Sequence, residues 1–181
     1  LRVEPMDFAA FCRACRQEAD DLESFEKFAC VGGIPKYWEF VERGQNVVGL
    51  AESLYFDFAP YMEQEPQRIL HDERVTGLNA LAVLEAVGRG AERPSEIAAR
   101  LGTAQTNLSR LLQQLLDASI LTRDLPFGES VRSTKKILYR IQDPTMRFWF
   151  RVYSPHQSLW RTYTAAQKRK LIHDHAATVF E

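Results

Sequence analysis

The sequence lacks the short motifs that mark most nucleotide-binding and hydrolytic enzymes. Its 9 glycines form neither a G-x-x-x-x-G-K-[ST] loop nor a G-x-G-x-x-G turn after a strand. The motifs H-E-x-x-H and G-x-S-x-G are absent as well. We therefore expect no catalytic residue and no enzymatic activity in these 181 residues.

Cysteine is scarce, and long apolar runs are missing. Three cysteines are typical of a protein from a reducing compartment. No apolar run approaches the roughly 20 residues that a membrane helix needs, and the first residues lack the basic and apolar regions of a signal peptide. The sequence predicts a soluble, cytoplasmic protein with no membrane partner.

Three short clusters contain residue types that bind metals. Cys12 and Cys15 form a C-x-x-C, but they share the apolar face of a predicted helix over residues 7–18, and no second C-x-x-C or histidine pair completes a zinc site. Residues 71–73 (His-Asp-Glu) and 173–175 (His-Asp-His) are adjacent in sequence, so on a helix their side chains point in different directions. We predict core packing for the cysteines and no metal site.

Acidic and basic residues are unevenly distributed, although the formal net charge is only -1. Residues 1–92 carry 9 Lys and Arg against 17 Asp and Glu, which gives -8. Residues 93–140 carry 8 against 4, which gives +4, and residues 141–181 carry 6 against 3, which gives +3. Because the acidic part would repel DNA within a Debye length of about 8 Å at physiological salt, DNA, if it is a partner, is expected to bind on the side of the basic segment and its wing.

The first 75 residues have helical periodicity and no strand alternation. Predicted helices cover residues 7–18, a stretch that begins near Leu22 and stops at Gly32-Gly33, a stretch from Pro35, 46–58 and 66–73.

From Gly77 onward, three short helices are predicted. The first carries apolar residues over 78–87, the second begins at Pro94, and Gly102 makes the tight turn after it. Thr103 is the predicted N-cap of the third helix, which has leucines at 108, 111, 112 and 115 on one face. A glycine turn between two such helices is typical of a helix-turn-helix.

Two β-prone runs follow, at residues 120–123 and 136–141, and predict a wing. The polar face of the third helix is predicted to contact base edges and phosphates, and the basic residues of the wing to contact phosphates. The candidate DNA-binding residues are Gln105, Thr106, Asn107, Ser109, Arg110 and Gln113 on the helix, and Arg132, Lys135 and Lys136 in the wing.

Two motifs carry a resemblance to a known family. Residues 32–37 read Gly-Gly-Ile-Pro-Lys-Tyr, and residues 139–144 read Tyr-Arg-Ile-Gln-Asp-Pro and run into Arg-Phe-Trp-Phe at 147–150. Together they resemble the archaeal-type P-loop ATPases, relatives of the STAND and AAA+ groups, over essentially the whole chain. The chain departs from that family at residues 145–146 (Thr-Met), where large apolar residues are more usual.

The resemblance implies a mainly α fold, a helical lid bundle followed by a winged helix-turn-helix with a small β-hairpin wing. It implies a lid over residues 1–75, a winged helix over 76–142 and the truncated start of a C-terminal domain over 143–181. The expected partners are a P-loop ATPase domain upstream and a nuclease-like domain downstream. Because the P-loop domain binds the nucleotide, ATP or ADP with Mg would be bound by the parent protein and not by this chain alone.

The resemblance also assigns a role to the lid motif. Gly33, Ile34 and Pro35 would face the adenine of a nucleotide bound by the upstream domain. The alternative for these residues is a helix stop and restart with no ligand.

Three functional hypotheses remain from the sequence. In the first, nucleotide state at the lid repositions the winged helix. This movement controls either the binding of double-stranded DNA or an attached effector domain. In the second, the winged helix docks on its own ATPase domain or on another protein and does not bind DNA. The third, a free-standing transcriptional regulator, agrees with the helix-turn-helix but not with the acidic helical half.

Overall fold

The computed structural model describes residues 5–57, 60–75, 79–124 and 137–179. Within these ranges the chain is mainly helical and has one two-stranded antiparallel sheet, so the predicted fold class is confirmed. No helix in this part of the chain is long and apolar enough to cross a bilayer.

The described elements agree closely with the predicted ones. The strands are β1 (Leu121–Asp124) and β2 (Leu138–Ile141). The α-helices are α1 (Phe8–Cys15), α2 (Leu22–Val31), α3 (Pro35–Trp38), α4 (Val47–Ala51), α5 (Glu65–Asp72), α6 (Ala80–Gly88), α7 (Pro94–Arg100), α8 (Gln105–Asp117), α9 (Pro144–Phe148), α10 (Ser154–His156) and α11 (Ala165–Val179). A π-helical turn continues α4 over Glu52–Phe56, another continues α9 over Trp149–Tyr153, and a 3-10 turn covers Trp160–Thr162.

Side-chain caps explain where several helices begin. Asp7 accepts a hydrogen bond from the Ala10 N–H at 2.8 Å, and Asn46 accepts one from the Gly49 N–H at 2.9 Å. Asp143 does the same for Met146 at 3.0 Å. Each cap satisfies a backbone donor that the first helical turn leaves without a partner.

The chain divides into two compact units. Residues 1–63 and 143–181 form one of them, which we call the split unit, and residues 64–142 form the other, which we call the inserted unit. This differs from the predicted division into three segments. Residues 143–181 were expected to begin a separate domain, yet they lie in one unit with the first helices, and α5 belongs to the inserted unit.

The core of the split unit explains the difference. Buried aromatic residues from both ends of its sequence pack together, among them Tyr55 on Phe148, with ring centroids 4.7 Å apart, and Phe56 on Trp160, with centroids 3.9 Å apart. The Trp149 indole N–H donates to the Met62 carbonyl oxygen at 2.8 Å. The aromatic residues at 148–153 therefore belong to the core, and neither end of the sequence holds this core alone.

The net charges of the two units differ less than those of the two halves of the sequence. The split unit has 12 Lys and Arg against 15 Asp and Glu, or -3, and the inserted unit has 11 against 9, or +2. Basic residues of α11 pair with acidic residues near the start of the chain: Arg169 with the fully buried Glu26, and Lys168 with Glu52 at 2.7 Å. The predicted contrast between an acidic first half and a basic second half is thus largely cancelled by folding.

Candidate nucleic-acid interface

The helix-turn-helix is formed by α7 and α8 in the inserted unit. Pro94 begins α7, and the Glu96 carboxylate accepts hydrogen bonds from the backbone N–H groups of Glu92 at 3.2 Å and Arg93 at 3.1 Å. Gly102 has a φ of +60°, a left-handed conformation that glycine adopts without strain. The predicted glycine turn between the two helices is therefore confirmed.

Three leucines attach α8 to the rest of the inserted unit. Leu108, Leu112 and Leu115 are buried, as their i, i+4 and i+7 spacing predicts. The start of α8 differs from the prediction, because its N-cap is Ala104 and not Thr103. The Thr103 hydroxyl oxygen instead accepts a hydrogen bond from the Asn107 side-chain amide at 3.3 Å.

All six predicted DNA-binding residues of α8 are exposed. Thr106, Arg110 and Gln113 have the spacing i, i+4 and i+7 on the side away from the leucines, so they form one row along the helix. Gln105 and Ser109 flank this row on one side, and Asn107 flanks it on the other.

The row differs chemically between its two ends. Arg110 has no ion-pair partner within the described part of the chain, whereas the Gln113 amide donates to Asp117 at 2.7 Å. Ala104 supplies no side-chain acceptor to the first turn, so backbone N–H groups at this end of α8 stay available to an anion. A polyanion is thus attracted to the first two turns of α8 and repelled by Asp117 at the last turn.

The wing is described only at its base. β1 and β2 pair in antiparallel register from Leu121 opposite Ile141 to Asp124 opposite Leu138. The predicted phosphate-binding residues Arg132, Lys135 and Lys136 lie outside the described residues.

Two arginines lie on the strands of the wing. Arg123 is exposed and lies over the Tyr139 ring, 5.9 Å from its centroid. Arg140 pairs with Asp124 at 3.3 Å and with Glu92 at 3.7 Å. Asp124 is two positions from Thr122, which faces Arg140 in the sheet, and a carboxylate at this diagonal position on the facing strand is a sequence signal for such a pair.

The lid motif lies in the split unit, and its two glycines are in contact with other parts of the chain. A Cβ on Gly33 would overlap the Met6 backbone and would come within 2.8 Å of the Pro5 Cβ. Ile34 is half-buried, and Pro35 is exposed at the start of α3. The structure therefore shows a helix stop and restart here, with Gly33 covered by protein, and adenine contact by these three residues stays a prediction.

The residues with metal-binding side chains do not converge within the described part of the chain. Cys12 is buried in the core of the split unit, as predicted. On α11 the three residues at 173–175 separate: His173 contacts Glu26 at 2.9 Å, Asp174 contacts Lys170 at 2.6 Å, and His175 is buried. Their different directions follow from the helix geometry.

Comparison with known proteins places the helix-turn-helix in a recognised type. Residues 78–125 match the IclR helix-turn-helix domain. That span includes α6, α7, α8 and β1, which form the motif described above. The match indicates a DNA-binding winged helix in this part of the chain.

One relative covers most of the chain. An uncharacterized protein of Methanocaldococcus jannaschii is 36% identical over 171 residues, a region that covers 87% of this chain and 35% of that protein. The chain thus spans about a third of the length of the curated relative it matches. No solved structure matches the chain, and neither match is named as a P-loop ATPase.

Proposed function

We propose that the inserted unit binds double-stranded DNA with α8 in the major groove. The observation that carries this proposal is the exposed row of Thr106, Arg110 and Gln113 on the second helix of a helix-turn-helix that matches the IclR type. Fold alone does not establish function, but here the residues on the row also have the chemistry that base edges and phosphates require.

Each residue of the row receives a specific role. Arg110 contacts a guanine edge with its guanidinium, and Thr106 binds a phosphate together with the N–H groups of the first turn of α8. Gln113, which already donates to Asp117, lies furthest from the N-terminal end and contributes least. Gln105, Asn107 and Ser109 on the flanks, and Arg132, Lys135 and Lys136 in the wing, contact phosphates beside the groove.

Binding of a short duplex at several salt concentrations tests the proposal. Each phosphate contact contributes about -0.9 to the slope of log K against log salt. A steep negative slope is expected for the full chain. Absence of binding at low salt, or a flat salt response, contradicts DNA binding and favours the alternative, a winged helix that docks on protein.

Two charge-matched substitutions locate the interface. Arg110→Ala is expected to weaken duplex binding by about tenfold or more, since a good bidentate arginine contact to a base contributes roughly 1–3 kcal/mol. Arg89→Ala removes the same charge from the end of α6, where Arg89 pairs with Glu85 at 2.8 Å, and is expected to change binding little. Equal effects of the two substitutions on affinity would show that α8 is not the contact surface.

We further propose that the chain is the lid and winged-helix part of a longer ATPase, in which nucleotide state controls DNA binding or an effector domain. The resemblance at residues 32–37 and 139–150 supports this, as does a relative about three times as long. ATP or ADP with Mg would bind the upstream P-loop domain, and a nuclease-like domain would follow. A gene whose upstream sequence encodes no P-loop excludes this arrangement and favours a free-standing regulator.

A further inference from the structure

Arg140 lies where three segments of the inserted unit meet. Its side chain, 25% exposed, contacts Asp124 at the end of β1 and Glu92 in the segment between α6 and α7. The Arg140 Nε atom is buried, so this edge of the guanidinium faces the two carboxylates and not solvent. A phosphate could approach this edge only by displacing them.

Backbone hydrogen bonds join the same three segments. The Tyr139 N–H donates to the Glu92 carbonyl oxygen at 2.7 Å, and the Gln142 N–H donates to the Ile120 carbonyl oxygen at 2.9 Å. The Glu92 N–H in turn donates to Glu96 in the first turn of α7. The ion pairs of Arg140 therefore reinforce a junction that links the wing strands to the start of the helix-turn-helix.

The position of this junction has a consequence for DNA binding. Asp124 is the last residue of β1, and the wing segment with Arg132, Lys135 and Lys136 follows directly in sequence. Because the end of β1 is held to α7 and β2, the residue from which the wing segment leaves the sheet is fixed relative to α8. Binding of the wing and α8 to one duplex then costs less conformational entropy than it would if the end of β1 were free.

We propose that Arg140 is a positioning residue, which orients the wing for DNA through Asp124 and Glu92 and does not itself bind phosphate. This inference rests on the proposed DNA binding. Removing the negative charge of Asp124, at the edge of the proposed interface, is therefore expected to weaken DNA binding instead of strengthening it.

The test uses the full chain and a short duplex, with affinity measured at several salt concentrations. Asp124→Asn and Arg140→Gln are each expected to weaken binding by roughly three- to tenfold and to make the salt slope shallower by more than the 0.9 of one phosphate contact, because wing contacts are lost. Asp117→Asn is the matched control. It removes a carboxylate at the end of the α8 row and is expected to raise affinity.

The alternative roles give different results. If Arg140 is a phosphate contact, Asp124→Asn frees it and raises affinity as Asp117→Asn does, and Arg140→Gln lowers the slope by about 0.9. Either result contradicts the positioning role of Arg140. The proposed function is not affected by it, because that proposal depends on whether the wild-type chain binds the duplex. Absence of wild-type binding overturns both.

A second measurement separates positioning from misfolding. In Arg140→Gln, Asp124→Asn and Glu92→Gln, hydrogen exchange of the Tyr139 amide is expected to accelerate, while amides of α8 stay protected. If exchange of the Tyr139 amide is unchanged, Arg140 does not hold the wing strands to α7. If amides throughout the inserted unit lose protection, Arg140 contributes to overall stability, and its role as a positioning residue is contradicted.

Discussion

His175 is a buried histidine whose ring packs edge-on against Phe148, with ring centroids 5.2 Å apart. Neither ring nitrogen has a hydrogen-bond partner of normal geometry within the described residues. Burial lowers the pKa of His175 to about 3, and the nearby Arg151 and Arg147 act in the same direction against an opposing effect of the Ala29 backbone. The histidine is therefore neutral in the folded protein at physiological pH.

This burial predicts how stability depends on pH. In the unfolded chain His175 has the ordinary pKa of about 6.5, so below that pH the unfolded state binds a proton that the folded state does not. The free energy of unfolding is expected to fall by up to about 1.4 kcal/mol per pH unit between roughly pH 6 and pH 3 from this residue.

Tryptophan fluorescence in urea measures this effect selectively, because Trp38, Trp149 and Trp160, all 3 tryptophans of the chain, lie in the split unit. His175→Leu is expected to remove that part of the pH dependence. The control His71→Gln, at a side chain that is 90% exposed, is expected to leave it in place. A pH profile that His175→Leu does not alter contradicts the assignment.

At the scale of elements, α2 and α9 meet at a glycine. Gly32 ends α2 with a φ of +62°, and a Cβ there would overlap the Thr145 hydroxyl oxygen and lie 3.1 Å from the Asp143 carboxylate. The Gly32 carbonyl oxygen also accepts a hydrogen bond from the Trp38 indole N–H at 2.9 Å. A small residue at 145 thus packs on a glycine at 32, which accounts for threonine where the resembling family has larger apolar residues.

Gly32→Ala is expected to destabilise the split unit by about 2 kcal/mol or more, from the left-handed backbone together with the overlap at Thr145. Gly44→Ala is the matched control, since Gly44 has a φ of +77° but an open Cβ position, and it is expected to cost only about 1 kcal/mol. Urea unfolding followed by tryptophan fluorescence gives both values. If the two costs are equal, the contact with Thr145 contributes nothing.

Local signals were sufficient to predict most elements. Proline at 94, glycine at 102 and the leucine spacing of α8 each act within a few residues, so they defined the helix-turn-helix and the exposed residues of its second helix. The N-cap of α8 was misassigned to Thr103 because its hydroxyl bonds the Asn107 side chain and not a backbone N–H.

Long-range features of the fold could not be predicted from local signals. The pairing of Glu26 with Arg169 and the junction of Glu92 with Arg140 join residues far apart in sequence. Charge and periodicity identify which side chains are available for such contacts, but they do not specify partners. The sequence therefore indicated the candidate DNA-binding face and missed the contacts that hold its wing.

At the scale of the whole molecule, one unit is continuous in sequence and the other is not. The inserted unit contains its own leucine core and sheet, whereas the split unit needs both ends of the sequence. The charges of -3 and +2 on the two units show that a DNA-binding role cannot rest on net charge, and so depends on the arrangement of side chains along α8.

This division predicts the behaviour of fragments. Residues 64–142 expressed alone are expected to unfold cooperatively and to retain duplex binding, because their core is internal to the fragment. Residues 1–63 and residues 143–181 are expected to be unfolded separately and to gain helical structure when mixed. Circular dichroism of each fragment and of the mixture provides the measurement, and a stably folded 1–63 fragment contradicts the description of the split unit.

The contact between Gly32 and Thr145 also determines what happens while the chain is being made. Thr145 is synthesised 113 residues after Gly32, a delay of roughly 6 to 23 s at translation rates of about 5–20 residues per second. During that interval the inserted unit, whose contacts are local, can fold, while the surfaces of α2 and α4 that pack on α9 and α11 have no partner. Apolar surface that the folded protein buries is therefore exposed during synthesis, and such transient exposure favours aggregation.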